Sequence, residues 1–256
     1  MRHDYPILEY DPNPVAIIEP GHTMKPLEGM PEHCVLCFFS NVIEQLAEEG
    51  LAREIKSDPT ESGMRRFYEL DCGLDRPVAL TYPGVGAPLA AARFEIAIAL
   101  GARKFIACGG AGVLDREIAV GHLVVPTAAI RDEGTSYHYL PAGREVAPSP
   151  LAVQAIEAVL QRHNVDYIKA KTWTTDAIFR ETREITALRR SEGCLTVEME
   201  AATFFAVAQF RGVPFGQILY GGDNLDGEQW DRRDWMNRAS VRERLVLLAA
   251  EACLEM

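Results

Sequence analysis

Three features of the chain predict an α/β layered fold. Apolar strand-like runs alternate with helical runs, glycine turns stand at the ends of the strand-like runs, and 256 residues with 48% apolar content can fill a full core. In such a fold the site lies at strand ends. No repeat, low-complexity tract or Pro/Gly/Ser linker divides the chain, so a single domain over residues 1–256 is expected.

Residues 15–18 are a β-branched run closed by Pro20 and Gly21, a strand and then a turn. Cys34 and Cys37 form a CxxC beside His33, but no second cysteine pair completes a zinc site. The surrounding Val35-Leu36-Cys37-Phe38-Phe39 is too apolar for an exposed redox motif, so these cysteines are expected to be structural, in a helix. Residues 41–51 read as a helix closed by Gly50, and residues 66–70 and 77–82 as two strands around a turn. The loop Gly84-Val85-Gly86 leads into a helix at 89–100 that Gly101 stops. Residues 104–108 are a buried strand, followed by a Gly109-Gly110-Ala111-Gly112 loop. Strands are expected at 122–126, 128–131, 167–172 and 217–220, the last ending at Gly221-Gly222-Asp223. Amphipathic helices are expected at 151–163 and 240–254.

Composition excludes several function classes. A net charge of −11 argues against a nucleic-acid partner, although a small anion needs only a local positive site. There is no apolar run of about 18 residues, so no membrane span is expected. The stretch from Met1 to Pro6 lacks the apolar core of a signal peptide, and the six cysteines read as small buried hydrophobes of a reducing compartment. Both point to the cytoplasm.

The most informative segment is Val197-Glu198-Met199-Glu200-Ala201-Ala202, at a strand-to-helix junction before an apolar helix that Gly212 ends. Two acids there are costly unless a partner needs them, and an ionised carboxylate can accept two hydroxyl hydrogen bonds from a diol. The alternative is a helix N-terminus whose acids favour the dipole. Three glycine turns, at Gly21, Gly84–Gly86 and Gly109–Gly112, would let backbone amides approach an anion or sugar. None matches GxGxxG or a Walker loop.

The Val-Glu-Met-Glu-Ala-Ala segment resembles the ribose-binding segment of the nucleoside phosphorylase family, the purine nucleoside and uridine phosphorylases with their nucleosidase relatives. Other segments follow the family's order, from about Val15 to Asp223. The resemblance implies a three-layer fold, with a central mixed β-sheet flanked by helices, and a nucleoside and phosphate as partners. It implies that Glu200 holds the ribose hydroxyls, Met199 packs under the sugar and Glu198 helps position this segment or the base. It places Gly21 and Lys25 in a first phosphate loop, and Gly109 and Gly110 in a second. Ile178 and Phe179 fall where the base stacks, and Arg183 would read the base or pair with a neighbouring acid on an exposed helix start. His3 would touch the sugar of a neighbouring subunit or stay solvated. A homo-oligomer is implied, dimer-based, with a hexamer as the larger form.

Asp223 stands where the purine-specific branch protonates the base, or else caps a simple turn. No metal or organic cofactor is implied. Lysine replaces the family's arginine at Lys25, and Ala107 and Gly110 replace two further phosphate ligands. The expectation is phosphorolysis of a purine nucleoside. A hydrolytic nucleosidase, with Glu19 activating water, and a non-catalytic nucleoside-binding homologue are the alternatives.

Overall fold

The computed structural model describes residues 2–235 and 239–256. Among these residues the strands are β1 (His33–Cys37), β2 (Ala52–Thr60), β3 (Gly63–Leu70), β4 (Val78–Thr81), β5 (Lys104–Val113), β6 (Leu123–Asp132), β7 (Glu145–Val146), β8 (Tyr167–Thr175), β9 (Cys194–Glu198) and β10 (Phe215–Asn224). The helices are α1 (Pro20–Thr23), α2 (Ser40–Glu48), α3 (Ala87–Leu100), α4 (Pro150–Arg162), α5 (Arg183–Ser191), α6 (Ala201–Arg211) and α7 (Ala239–Leu254).

The strands form one mixed sheet in the order β10-β6-β8-β9-β5-β1-β4-β3-β2. β10 also pairs with β5, so β10, β6, β8, β9 and β5 close into a ring, and β1, β4, β3 and β2 extend outward from β5. β1, β4, β5 and β10 are parallel to their neighbours among one another, while β5 meets β9 and β10 meets β6 antiparallel. This is the expected α/β arrangement of a mixed sheet flanked by helices.

Two apolar layers hold it. On one face, α3 and α6 pack Phe94, Phe204 and Phe205 against Phe105 and Phe215 of the sheet. On the other, α2, α4 and α7 bury Val42, Ile156, Val159, Leu245 and Ala249 against Val35, Ile106 and Ile218. The parallel strands between them are buried on both sides, which is why β1 and β4 are continuous apolar runs rather than alternating ones. Gly212 closes α6 in the left-handed conformation at φ 67, as its position after the last apolar turn predicts.

Several elements differ from the sequence expectation. Residues 15–18 are not a strand: Ile17 is 98% exposed and no strand pairs with it, so β-branching alone did not make one. The first strand is β1, and Cys34 and Cys37 lie buried in it rather than in a helix. A five-residue apolar run has no periodicity to separate the two. β2 carries Arg53, Glu54, Lys56, Asp58 and Pro59; as the sheet edge it tolerates charge and proline, and it went unseen for that reason. The 109–112 glycines are not a loop but the end of β5, paired with β9 and β10. Likewise β10 runs through Gly221 and Gly222 to Asn224. The two runs at 122–131 are one strand, β6, with a register shift between Pro126 and Ala128 where proline cannot donate.

Candidate active site

A cavity of about 790 Å³ opens where β1, β5, β9 and β10 end. Its wall takes Phe38 to Asn41 after β1, Val85 before α3, and Gly110 to Gly112 of β5. Ile178 to Arg183 after β8, Val197 to Glu200 at β9, Asp223 of β10 and Arg242 of α7 complete it. Segments far apart in sequence converge because the closed strand ring brings their ends to one place.

Glu198 ends β9, and its carboxylate is fully engaged. Oε2 accepts the amides of Glu200 and Ala201 at 2.7 and 2.6 Å, and Oε1 accepts the Thr174 hydroxyl at 2.6 Å. The acid therefore caps the start of α6 and ties it to β8, which is the positioning expected of it. Burial pushes its carboxyl above the usual range, against the pull of these three bonds.

Glu200 is 5% exposed. Its Oε1 accepts the Gly86 amide at 2.5 Å and Oε2 the Met199 amide at 3.3 Å. Gly86 has φ 95, a left-handed conformation that favours glycine and aims its amide at the carboxylate. Burial, and then the charge of Glu198, hold the Glu200 carboxyl above the usual range. Met199 lines the same wall.

Asp223 lies within β10, not in a turn, so it caps nothing. Asn224 and Asp231 form an antiparallel bridge that folds the intervening loop back, and Trp230 Nε1 donates to Asp223 Oδ2 at 2.6 Å. Glu181 also lines the cavity; burial, and then Asp223, push its carboxyl up to about 7. Glu181 is not an exposed acid paired with Arg183. Thr182 is the N-cap of α5, its hydroxyl accepting from Ile185, so Glu181 precedes the helix and turns inward. A threonine three residues before an apolar position was the available signal. Arg183 lines the cavity and donates to the Glu228 carbonyl rather than to an acid. Ile178 and Phe179 sit at the mouth, 53% and 95% exposed.

The expected phosphate residues do not assemble here. Gly21 lies in α1, and Lys25 Nζ donates to the Gly21 carbonyl at 3.2 Å, away from the cavity. The first strand is β1, and Phe38 to Asn41, which follow it, line the cavity where Gly21 and Lys25 do not. Gly109 faces Phe38, whose ring stands 3.0 Å from where a Cβ would be. Gly110 lines the cavity, and Tyr220 and Trp235 stand 3.1 and 3.2 Å from its Cβ position, so a side chain there would have to push these rings aside by a few tenths of an ångström. His3 is exposed and off this cavity; its backbone amide donates to Glu9. Glu19 is bonded to Arg211 and the Ala16 amide, also away from it. Of the tryptophans, Trp230 and Trp235 shape the cavity, whereas Trp173 is core and donates to Asp132.

The family model described as the phosphorylase superfamily matches residues 32–254. The chain belongs to this superfamily. It is an enzyme of the nucleoside phosphorylase type. It is 31% identical to a uridine phosphorylase of Treponema pallidum over 211 residues, 77% of this chain and 80% of that protein. It is also 31% identical to a guanosine phosphorylase of Halorubrum lacusprofundi over 153 residues, 60% of this chain, and spans 63% of that relative's length. Among solved structures, an AMP nucleosidase from Bacteroides thetaiotaomicron superposes with a TM-score of 0.71 at 26% identity, covering 88% of each chain. The family match begins at residue 32, after Gly21 and Lys25.

Proposed function

We propose that this enzyme cleaves the N-glycosidic bond of a purine nucleoside with phosphate, giving the free base and pentose 1-phosphate. The observation that carries the reading is Glu200 and Asp223 on the wall of one cavity, with Met199 beside the first and Glu181 beside the second. Breaking the bond builds positive charge on the sugar and negative charge on the base. Glu200 accepts the ribose 2′- and 3′-hydroxyls, and Met199 supports the sugar. Glu198 holds both by capping α6.

A phosphate oxygen forms the new bond to C1′ as the C1′–N bond breaks. The bonding electron pair leaves with the base, whose ring nitrogen takes a proton from Asp223. Glu181, which holds a proton close to neutral pH, passes it to Asp223 as Asp223 protonates the base. The net balance moves the proton of hydrogen phosphate to the base. An acid on the base side supports a purine, in line with the guanosine phosphorylase relative. The reaction calls on phosphate as cosubstrate and on no metal or organic cofactor. Ile178 and Phe179 close the mouth over the base.

Hydrolysis is the second reading. It is favoured by the distance of Gly21 and Lys25 from the cavity and by the likeness to the AMP nucleosidase. Product analysis on inosine, guanosine, adenosine and uridine, with and without phosphate, separates the two. Phosphate-dependent formation of base and ribose 1-phosphate supports phosphorolysis; free ribose without phosphate overturns it.

A further inference from the structure

We propose that Arg242, with Asn41 and the first turn of α2, forms the subsite for inorganic phosphate, in place of the loop residues assigned from resemblance. The inference rests on the phosphorolysis reading. Arg242 is 7% exposed and lines the cavity. Its guanidinium lies against the rings of Phe39 and Trp235, with Cζ 5.0 and 5.3 Å from their centroids. Nε donates to the Tyr220 hydroxyl at 3.1 Å and Nη1 to Asn41 Oδ1 at 3.3 Å.

Both partners are neutral. Among the described residues no carboxylate lies within 4.0 Å of this guanidinium. Of the other buried arginines, Arg93 also bonds only to neutral groups, the Tyr82 carbonyl and the Ser62 hydroxyl, but it lies off this cavity. Arg189 pairs with Asp132 and Glu192, and Arg131 gives its donors to Ser136, Pro141 and Leu140. Arg242 leaves Nη2 without an acceptor among the described residues, on a cavity wall. A buried cation without a counter-charge is strongly unfavourable, so an anion is the fitting occupant.

Two neighbours sharpen the chemistry. α2 begins at Ser40, and the amides of Ser40 and Asn41 have no acceptor within the helix, so its positive end faces the same cavity. Asn41 Oδ1 ties that helix start to the guanidinium. Gln217 is 2% exposed, lines the same cavity, and its Oε1 has no hydrogen-bond partner. It is an acceptor for a hydroxyl, which hydrogen phosphate carries alongside its charged oxygens. A planar guanidinium, helix amides and one lone acceptor together match a protonated tetrahedral dianion.

The test titrates the enzyme with inorganic phosphate alone, read by tryptophan fluorescence since Trp235 stacks on Arg242, and by calorimetry. Steady-state KM values for phosphate and nucleoside accompany it. Arg242→Gln removes the charge, and Asn41→Asp keeps the side-chain size while placing a carboxylate on the guanidinium. Both variants are expected to weaken phosphate binding tenfold or more, with the nucleoside KM changed less than twofold. If Arg242→Gln fails to fold, Asn41→Asp decides alone. Phosphorolysis with an unchanged phosphate KM in the variants overturns the subsite and leaves the proposed function standing. Arg242-dependent phosphate binding in an enzyme that releases base without phosphate keeps the subsite and overturns phosphorolysis. Arg242-dependent binding of a nucleoside 5′-monophosphate, with no binding of inorganic phosphate, overturns the proposal in favour of a phosphate carried by the substrate itself.

Discussion

Glu200 sits in surroundings that oppose its charge, which gives it a pH signature. Its carboxyl is raised by burial and by Glu198, while the unfolded chain ionises at the ordinary value. The folded state therefore holds a proton that the unfolded state has lost, and stability falls as pH rises above the ordinary carboxylate range. Glu200→Gln is expected to raise the thermal midpoint of the ligand-free enzyme at pH 8 and to change it little near pH 4, measured at both pH values. The same substitution should abolish nucleoside binding, and unchanged affinity would remove the ribose role. Glu181 gives the second signature. With its carboxyl near 7, kcat/KM is expected to fall as pH rises through that value, because Glu181 then no longer resupplies the proton that Asp223 gives to the leaving base. Glu181→Gln should remove that limb, and Asp223→Asn should slow purine cleavage at all pH values. A pH–rate profile of the three proteins checks both. That Glu200 and Asp223 stand near strand ends was legible in the sequence, because each sits beside an apolar strand-like run, and both line the cavity. The place of Glu181 was not legible, because whether an acid before a helix cap faces solvent or a cavity depends on what lies across from it.

At the scale of elements, the strand-to-helix turn after β9 depends on a side chain rather than on a backbone pattern. Glu198 accepts two amides at the start of α6 and a hydroxyl from β8. Glu198→Ala leaves those donors buried, and a loss of about 3 kcal/mol is expected by urea denaturation, together with weaker nucleoside binding as Glu200 shifts. Helices α2, α3, α4, α6 and α7 were read within a few residues, since their caps and stops are local: Pro88 and Gly101 bound α3, and Gly212 ends α6. Strands were read less well. β1 hid as a short apolar run, β2 as a charged one, and residues 15–18 had strand composition without a partner. Strand formation is decided by the neighbour that pairs, which a single segment does not contain.

For the whole molecule, the site is a product of closure. Residues from Phe38 to Arg242 meet because β10 pairs with both β5 and β6. Binding is therefore expected to protect the site segments together. A nucleoside at about 100 times its Kd should add about 2.7 kcal/mol to stability, with amide-exchange protection rising at the ends of β1, β9 and β10 at once. Protection confined to one segment would argue against a shared site. The sequence by itself determined the fold class, the α/β order and the place of the Glu-Met-Glu segment at a strand-to-helix junction, because periodicity, caps and a compact motif are carried by adjacent residues. Only the tertiary structure decided that Phe38 to Asn41 after β1 line the cavity, that Phe38, Tyr220 and Trp235 fill the space around the glycines, and that Arg242 is buried at the cavity without an acid. These depend on contacts between residues far apart in the chain, and packing sets those contacts.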